Sequence, residues 1–213
     1  MARTNIIFLG MPGSGKGTIS SILEKKTNII QISTGDIFRE EINNKTELGL
    51  KVQSIVESGS YVPDDITNKI VENKILQMQA NNQKFILDGF PRTIQQAMFL
   101  DQLNFEDYIV IYLDINKQIV IDRLSQRYFC KTCKKSYNLT SFRSKKHPYC
   151  ENDCGLLIQR ADDQPEAVKK RLDIYEKETT PVVEFYQRKN KLFTINQHDG
   201  INEIIDKILD IIL

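Results

Sequence analysis

A glycine-rich segment near the start of the chain carries the clearest chemical signal in the sequence. Residues 10–18 read Gly-Met-Pro-Gly-Ser-Gly-Lys-Gly-Thr and follow a short apolar run at residues 5–9. Glycines let successive backbone N–H groups converge on one anion, and the start of the following helix carries partial positive charge. Lys16 adds a full positive charge near the β- and γ-phosphates. The order of strand, glycine turn and helix argues against an accidental turn, so the segment predicts a triphosphate-binding P-loop.

All four cysteines of the chain lie in one short stretch, and their spacing suggests a metal site. Cys130 and Cys133 form one close pair; Cys150 follows after sixteen intervening residues, with Asp153 and Cys154 just behind it. This spacing is typical of tetrahedral zinc, with buried thiols or disulfides as the alternatives. Four protein ligands leave no open position, so the zinc should be structural. The residues alone leave both Asp153 and Cys154 open as the fourth ligand.

Several arginines are spaced so that they could meet phosphate groups. Arg123 and Arg127 are four residues apart on a predicted helix and should share one face of it. Arg160 and Arg171 flank a segment that contains two consecutive aspartates. A planar guanidinium group can bind two phosphate oxygens at once in a fixed geometry, and it does so better than lysine. The alternative is a set of solvated surface salt bridges.

Asp88 follows an apolar run at residues 85–87 and precedes Gly89. A carboxylate at the carboxyl end of a strand, close to a P-loop, is well placed to hold Mg²⁺ directly or through water. The alternative is an aspartate that only forms a turn. We find no candidate nucleophile or strong base, and His147 and His198 are the only histidines. A reaction that moves a phosphoryl group would need neither, because positioning and cationic stabilisation supply most of the catalysis in such reactions.

Short apolar segments alternate with helical patterns along most of the chain, which indicates a parallel sheet covered on both faces. Strands are predicted at residues 5–9, 29–32, 84–87, 108–113 and 192–195. Helices are predicted at residues 18–25, from residue 34, and at 48–57, 64–79, 93–103, 117–128 and 201–213. Two segments interrupt the alternation: residues 33–62 are rich in helix, and residues 129–160 look irregular.

Length and composition limit the classes of function. The 213 residues suffice for one substantial core with an insertion or two, and the formal net charge of +1 provides no overall field for nucleic acid or membrane. No apolar run approaches the ~18 residues of a membrane span, and the N-terminus lacks the pattern of a secretory signal. We therefore expect a cytoplasmic protein that binds neither nucleic acid nor membrane.

The P-loop has Gly17-Thr18 where other P-loops place Ser or Thr directly after the lysine. In this it resembles the nucleoside monophosphate kinases, above all the adenylate kinase family. The resemblance covers essentially the whole chain, with further motifs in order and at similar spacing. These motifs are Ser33-Thr34-Gly35-Asp36, Arg39, Asp88-Gly89-Phe90-Pro91-Arg92-Thr93, Arg123 with Arg127, and Arg160-Ala161-Asp162-Asp163 with Arg171.

The resemblance implies an α/β fold of the P-loop NTPase type, a parallel sheet flanked by helices, with two insertions. The core would comprise residues 1–32, 63–126 and 164–213. The insertion that binds the nucleoside monophosphate would comprise residues 33–62, and a zinc-binding lid residues 127–163. The resemblance also implies a monomer that uses Mg²⁺ with ATP and holds a structural Zn²⁺. Family spacing favours Asp153 as the fourth zinc ligand, with Cys154 as the alternative, and Asp88 as the residue that holds Mg²⁺ through water.

The implied reaction is reversible transfer of the terminal phosphoryl group of MgATP to AMP, giving two ADP. The residues implied to bind ATP are Gly13, Ser14, Gly15, Lys16, Gly17, Thr18, Arg127, Ser136, Tyr137 and Gln197. Those implied to bind AMP are Thr34, Arg39, Ser60, Tyr61, Val62, Gly89, Arg92, Gln96, Arg160 and Arg171. The implied catalytic residues are Lys16, Arg92, Arg123, Arg160 and Arg171.

Some of these residues also have a simpler interpretation. Gln96 falls where the family reads the adenine edge, since a side-chain amide can both donate and accept, but it could also lie on an exposed helix face. Thr34 could be only a helix N-cap, and Asp36 only a partner of the helix dipole. Tyr137 could pack near the base of ATP or in the core of the lid.

Other functions fit the sequence less well. Uridylate and cytidylate kinases of this family usually have a short lid, which argues against them; a guanylate kinase is a further alternative. A kinase for another small hydroxyl substrate would not need Thr34, Arg39 and Gln96. A zinc module that binds nucleic acid would need a basic helix or an aromatic stacking face, and neither is evident.

Overall fold

The computed structural model describes residues 4–103, 105, 107–133, 135–139, 148–196 and 200–213. The strands of these residues are β1 (Asn5–Leu9), β2 (Ile30–Ser33), β3 (Phe85–Asp88), β4 (Tyr108–Asp114), β5 (Arg127–Cys130), β6 (Ser136–Asn138), β7 (Leu157–Ile158) and β8 (Leu192–Asn196). The α-helices are α1 (Lys16–Thr27), α2 (Thr34–Asn43), α3 (Glu47–Glu57), α4 (Asp64–Ala80), α5 (Ile94–Gln102), α6 (Lys117–Ser125), α7 (Pro165–Ile174), α8 (Thr180–Arg188) and α9 (Ile201–Ile212).

A five-stranded sheet in the order β2-β3-β1-β4-β8 forms the centre of the fold, and every neighbouring pair in it is parallel. Side chains alternate between the two faces of a strand, so Ile7 and Leu9 of β1 enter one hydrophobic cluster while Ile6 and Phe8 enter another. Both faces are apolar because helices cover both. This confirms the predicted α/β fold with a parallel sheet flanked by helices.

Residues 33–62 contain α2 and α3 and no strand beyond Ser33 among the described residues, as predicted. The two helices enclose a small hydrophobic cluster of Phe38, Val52 and Val62. Ser33 is the N-cap of α2, since its Oγ accepts a hydrogen bond from the backbone N–H of Asp36 at 3.2 Å.

The prediction that residues 129–160 are irregular was wrong in part, because three short antiparallel strands form a sheet there in the order β6-β5-β7. The prediction that Arg123 and Arg127 share a helix face was also wrong. Helix α6 ends at Ser125, and Arg127 begins β5, where it pairs with Asn138. The aromatic residues that follow Arg127 suit a strand, and their pairing partner lies outside the window from which a helix was predicted.

Helices α7 and α8, which the strand and helix predictions left out, are joined without a break by a π-helical segment, Tyr175–Thr179. Helix α7 begins with Pro165, where the missing N–H of proline costs least. Short π-helical segments often occur at functional sites, and this one brings Thr179 next to the site described below. Across the part of the chain that the structure describes, no helix combines the length and apolar character needed to cross a bilayer.

Candidate active site

The amino group of Lys16 forms hydrogen bonds with other residues of the P-loop. Nζ of Lys16 donates to the carbonyl oxygens of Gly10 at 2.7 Å and Met11 at 2.9 Å, and to Oγ of Ser14 at 3.3 Å. Gly13 has φ 84°, and a Cβ there would lie 2.8 Å from Cγ of Leu124 in α6. The loop can therefore pass beneath α6 only with glycine at position 13.

The protein surroundings of Lys16 make its positive charge costly. Burial lowers the pKa of Lys16 from 10.5 to about 8, against the opposing attraction of Asp88, and the positive charges of Arg92, Arg171 and Arg127 lower it further. A polyanion bound in the loop would reverse this balance.

A cleft of about 1120 Å³ opens from the P-loop. Basic side chains from well-separated parts of the chain converge on it. They are Lys16, Lys25, Arg39, Arg92, Arg123, Arg127, Lys135, Arg160 and Arg171. Such a density of positive charge in a cleft is suited to several phosphate groups.

Two buried aspartates hold two of these arginines in place. Nε of Arg127 donates to Oδ2 of Asp163 at 2.7 Å, and Nη2 of Arg127 contacts the other carboxylate oxygen. Nη1 of Arg171 donates to the backbone oxygen of Asp162 at 2.8 Å and lies 3.0 Å from its Oδ2 and 3.1 Å from Oδ1 of Asp163. These pairs do not support the reading of the arginines as solvated surface charges, because the side chains of Arg127 and Arg171 are 19% and 18% exposed and that of Asp163 is fully buried.

Arg160 has weaker polar contacts than Arg127 and Arg171. Its guanidinium lies over the ring of Phe129 with 5.2 Å to the centroid, and Nη2 lies 3.4 Å from Oγ of Ser136. Its buried Nε has no hydrogen-bond partner among the described residues. Burial, together with the charges of Arg39 and Arg127, lowers the pKa of Arg160 to about 9. Burial also lowers the pKa of Arg123, which lines the cleft from α6.

A second, smaller cavity of about 50 Å³ adjoins the cleft and shares Arg39, Arg92 and Arg171 with it. Its lining also includes Tyr61 and Gly89, which border the cleft as well, and Thr34, Ser60, Val62 and Gln96, which do not. Thr34 is not an N-cap, since that role belongs to Ser33; Oγ1 of Thr34 donates to the backbone oxygen of Gly89 at 2.9 Å.

Arg92 is fixed by both its backbone and its side chain. Nε of Arg92 donates to the backbone oxygen of Gly89 at 2.7 Å, and its guanidinium lies over the ring of Tyr61 at 5.0 Å. Oγ1 of Thr179 donates to the backbone oxygen of Arg92 at 2.8 Å. Because that hydroxyl proton is already used, the hydroxyl of Tyr61 must be the donor in its 2.8 Å contact with Thr179.

Arg39 makes an ion pair with Asp36 at 2.7 Å, one helical turn before it. Burial opposes ionisation of Asp36, but the charge of Arg39 and two hydrogen bonds hold its pKa below the usual value. The structure therefore gives Asp36 a role in holding Arg39 at the edge of both cavities.

Gln96 is 1% exposed, which rules out an exposed helix face. Its Oε1 accepts from the backbone N–H of Arg92 at 2.7 Å, and its Nε2 donates to Oδ1 of Asp64 at 2.7 Å. An amide oxygen can accept a second hydrogen bond and an amide nitrogen can donate one. Each end of the amide therefore retains one hydrogen-bonding position.

Asp88 ends β3 opposite Ser33 and Phe8, and it lines the cleft beside the start of α1. Its Oδ2 accepts from Nε2 of Gln31 at 3.3 Å, and a Cβ on Gly17 would lie only 3.6 Å from the same oxygen. The carboxylate is thus close to the phosphate loop, as the magnesium hypothesis requires.

A cluster suited to a metal lies in the small β5–β7 sheet. The sulfurs of Cys130, Cys133 and Cys150 and a carboxylate oxygen of Asp153 all lie within 4.8 Å of one another. The backbone N–H of Asn152 lies 3.4 Å from the sulfur of Cys150, a contact that favours thiolate. Cys154 is exposed, has φ 58°, and does not belong to the cluster. Three sulfurs and one carboxylate fit a four-coordinate zinc ion.

Two other predicted ATP-binding residues lie beside this cluster. Ser136 is exposed and lines the cleft. Tyr137 also lines it, but its ring is 6% exposed within the cluster formed with Cys130, Cys150 and Leu157. Its hydroxyl lies 3.1 Å from the sulfur of Cys150, which favours the lid-core interpretation.

Gln197, predicted to bind ATP, lies outside the described residues, as do both histidines. Sequence reasoning did not single out Asp64 or Thr179. The only sequence signals that could have suggested them are the Pro-Asp at residues 63–64, which starts a helix, and the Thr-Thr-Pro at residues 179–181.

A P-loop at the edge of a parallel sheet, opening into a cleft where arginines converge, defines a P-loop phosphotransferase.

The sequence model of the family described as adenylate kinase matches residues 8–191. Three similar proteins are named adenylate kinase. One from Mycoplasma mobile is 45% identical over 208 residues, 96% of each chain. One from Thermosipho africanus is 45% identical over 213 residues, 98% of this chain and 99% of that one. One from Borrelia recurrentis is 44% identical over 207 residues, 97% and 95% of the two chains. The chain belongs to the adenylate kinase family, which confirms the resemblance.

Proposed function

We propose that the protein transfers the terminal phosphoryl group of MgATP to AMP, reversibly, giving two ADP. One observation carries the proposal: two cavities adjoin, and Arg39, Arg92 and Arg171 line both. The larger cavity begins at a P-loop and suits a triphosphate. The smaller one ends at a buried amide that retains one donor and one acceptor position, which suits a base.

The mechanism rests on positioning and charge. ATP would lie with its phosphates against the backbone of residues 13–18 and Lys16, with Arg127 as a further contact. The base of AMP would enter the smaller cavity, while its ribose and phosphate would extend toward the larger cleft, with the phosphate between Arg39 and Arg92. The attacking oxygen of AMP and the leaving oxygen of ATP would then be in line across the shared arginines. No step requires covalent attachment to the protein.

Charge develops on the moving phosphoryl group, and Arg123, Arg160 and Arg171 are proposed to stabilise it together with Lys16 and Arg92. Burial lowers the pKa of Arg123, Arg160 and Arg171, which means that their positive charges are poorly compensated by the protein itself and supports a role in binding negative charge. Fixed cations in a site from which water is excluded stabilise developing charge more than they would in water. Mg²⁺ bound with ATP would neutralise phosphate charge, and Asp88 would hold it, through water.

A zinc ion held by Cys130, Cys133, Cys150 and Asp153 would join the two halves of the lid. It would supply rigidity rather than catalysis, because the four side chains leave no open position. We also propose that the protein works in the cytoplasm as a monomer. Three cysteines grouped with a carboxylate, rather than paired in disulfides, support a reducing compartment.

The experiment is a coupled assay of the purified protein with MgATP as donor and AMP, UMP, CMP or GMP as acceptor. ADP formation with AMP should exceed that with each other acceptor by at least about tenfold in kcat/KM, the discrimination expected when a buried amide must pair with the base. Comparable turnover of UMP or CMP would replace the AMP assignment with a pyrimidine one. Phosphate release without any acceptor requirement would reject the kinase reaction.

A further inference from the structure

The amide of Gln96 is held between two protein groups whose hydrogen-bonding character is fixed. The backbone N–H of Arg92 can only donate, so the atom 2.7 Å from it must be the amide oxygen. The carboxylate of Asp64, when ionised, can only accept, so the atom 2.7 Å from its Oδ1 must be the amide nitrogen. The two contacts together define which end of the amide is oxygen and which is nitrogen, an assignment that usually stays ambiguous for glutamine.

Asp64 is itself held in place. Oγ1 of Thr93 donates to Oδ2 of Asp64 at 2.8 Å, and Oγ1 of Thr93 in turn accepts from the backbone N–H of Gln96 at 3.1 Å. Asp64, Thr93 and Gln96 thus form a closed ring of three hydrogen bonds across the starts of α4 and α5. Gln96 lines the small cavity, whereas Asp64 stands behind it and does not line either cavity described above.

We infer that Asp64 is a specificity-determining positioning residue: by fixing the Gln96 amide in one orientation, it makes the site accept a 6-aminopurine and reject a 6-oxopurine. This inference rests on the proposed function, in which the base of the acceptor nucleotide faces Gln96. It adds the group that decides how the base is read.

The chemistry follows from the edges of the two purines. Adenine offers a donor at N6 and an acceptor at N1, which match the remaining acceptor position on Oε1 and the remaining N–H of Nε2. Hypoxanthine offers an acceptor at O6 and a donor at N1, which is the reverse pattern. Gln96 could match hypoxanthine only after rotating its amide by half a turn. That rotation would set two donors against each other at Arg92 and two acceptors against each other at Asp64. The Gln96 amide itself is 1% exposed, so little water is available to compensate these two conflicts, and unpaired polar groups are costly there.

The test compares AMP with IMP as phosphoryl acceptors in wild type and in Asp64→Asn. Asparagine can keep accepting from Thr93 through its oxygen while its NH₂ donates to a rotated Gln96, so one of the two constraints is removed. The ratio of kcat/KM for AMP to that for IMP should fall roughly tenfold or more, the factor expected from losing one hydrogen bond to a charged group. The change should appear mainly as a lower KM for IMP and a higher KM for AMP, with kcat at saturating AMP little altered.

Asp65→Asn is the matched control. It removes the same charge from the same first turn of α4, at an exposed position outside the ring of hydrogen bonds that Asp64, Thr93 and Gln96 form. Its AMP to IMP ratio should equal that of the wild type. An equal fall in both variants would show that charge near the helix start, rather than orientation of the amide, sets the preference, and would overturn the inference.

Two further variants separate the possible failures. Gln96→Ala should lose most of the discrimination between AMP and IMP; if it keeps the wild-type ratio, the proposed base pocket is wrong. If Gln96→Ala loses the discrimination and Asp64→Asn does not, only the role of Asp64 is wrong. Should Asp64→Asn fail to fold, Asp64→Ala replaces it, since Asp64 is only half-buried and its removal leaves room for water. An unchanged ratio in Asp64→Ala would equally reject the inference.

Discussion

The fully buried carboxylate of Asp163 receives the guanidinium of Arg127 through both of its oxygens, with Nε at 2.7 Å from Oδ2. Arg171 shares one of those oxygens at 3.1 Å. One acidic group therefore holds two arginines that line the cleft, while Asp163 itself lines neither cavity.

We expect Asp163→Asn to lower both stability and activity. Removing one partner from a buried ion pair leaves charge uncompensated, and this typically costs about 3 kcal/mol or more. Urea denaturation should show that loss, and kcat/KM for AMP should fall at least about tenfold because Arg127 and Arg171 lose their orientation. Glu166→Gln, which changes an exposed acid in the first turn of α7, should match the wild type in both measurements. A variant with wild-type stability would show that Asp163 is not needed to compensate the two arginines.

Arg123→Ala should slow phosphoryl transfer while leaving nucleotide binding nearly intact. A cation that acts on charge developed in the transition state contributes on the order of 100-fold or more to the rate. Single-turnover rates should fall by that factor, and the dissociation constant for MgATP should change only a few-fold. Arg188→Ala removes an arginine whose side chain is 81% exposed and should have no effect on either quantity. Wild-type single-turnover rates in Arg123→Ala would end its assignment as a catalytic residue.

The lowered pKa of Lys16 predicts that both the stability of the protein and its affinity for MgATP depend on pH. Its pKa is about 8 in the nucleotide-free protein and 10.5 as an ordinary lysine. Between these values the unfolded chain binds more protons, so this group makes the empty protein more stable as the pH rises from 8 to 10.5. Affinity for MgATP should fall across the same window, because only the ammonium form attracts phosphate, and binding should take up protons.

Calorimetric titrations in two buffers of different ionisation enthalpy measure that proton uptake. Lys16→Arg is the control, since a guanidinium group keeps its charge throughout. The MgATP affinity of this variant should not fall between pH 8 and 10.5 through loss of a proton at position 16. Binding by the wild type without proton uptake near pH 9 would contradict the lowered pKa.

Metal removal should destabilise the segment that contains the cysteine cluster without greatly affecting AMP binding. A strong chelator should lower the thermal midpoint of the protein, whereas the dissociation constant for AMP should change far less, because the cysteine cluster lies in the lid sheet. Metal analysis should find about one zinc per chain in the wild type.

Paired variants decide the fourth ligand. Asp153→Ala should weaken zinc binding by at least about tenfold, while Cys154→Ser should keep the wild-type zinc content and midpoint, because Cys154 lies outside the cluster. The reverse result would assign Cys154 as the ligand. Full stability of the metal-free protein would reject a structural role for zinc altogether.

Thr179→Val should weaken the contacts that hold Arg92 and Tyr61 in the proposed AMP site. Valine has the shape of threonine but can neither donate to the backbone of Arg92 nor accept from Tyr61, so two hydrogen bonds are lost. We expect a loss of about 1–2 kcal/mol in unfolding free energy and a KM for AMP raised several-fold. Thr180→Val, at the exposed next position, is the control. If AMP kinetics in Thr179→Val stay those of the wild type, the π-helical segment has no part in positioning Arg92.

What the sequence predicted well was local. Strand β1 has the predicted bounds, residues 5–9, because a short apolar run beside a glycine turn has few alternatives. Helix α6 was predicted to continue to residue 128 because its pattern continues, yet β5 begins at Arg127 since residues 127–129 find partners in β6. Such pairing is not local and leaves no signal within a helical window.

The supporting contacts of the site escaped prediction for the same reason. Asp64 reaches Gln96 across 32 residues, and Thr179 reaches Arg92 across 87. Neither the residue types nor their spacing in the sequence predicts such contacts. For the fourth member of the cysteine cluster, spacing allowed either of two adjacent residues. The structure brings the carboxylate of Asp153 to the sulfurs instead of Cys154, whose backbone adopts φ 58°.

Gly59 lies directly against α7. Its φ is 77°, and a Cβ there would come within 2.6 Å of Cγ of Arg171 and 2.7 Å of the backbone oxygen of Ala167. The aliphatic part of the Arg171 side chain is thus the surface against which the loop before Val62 packs. Any side chain at position 59 would require helix α7 to move, and Arg171 would move with it, so the residue allowed at position 59 is coupled to the position of Arg171 in the cleft.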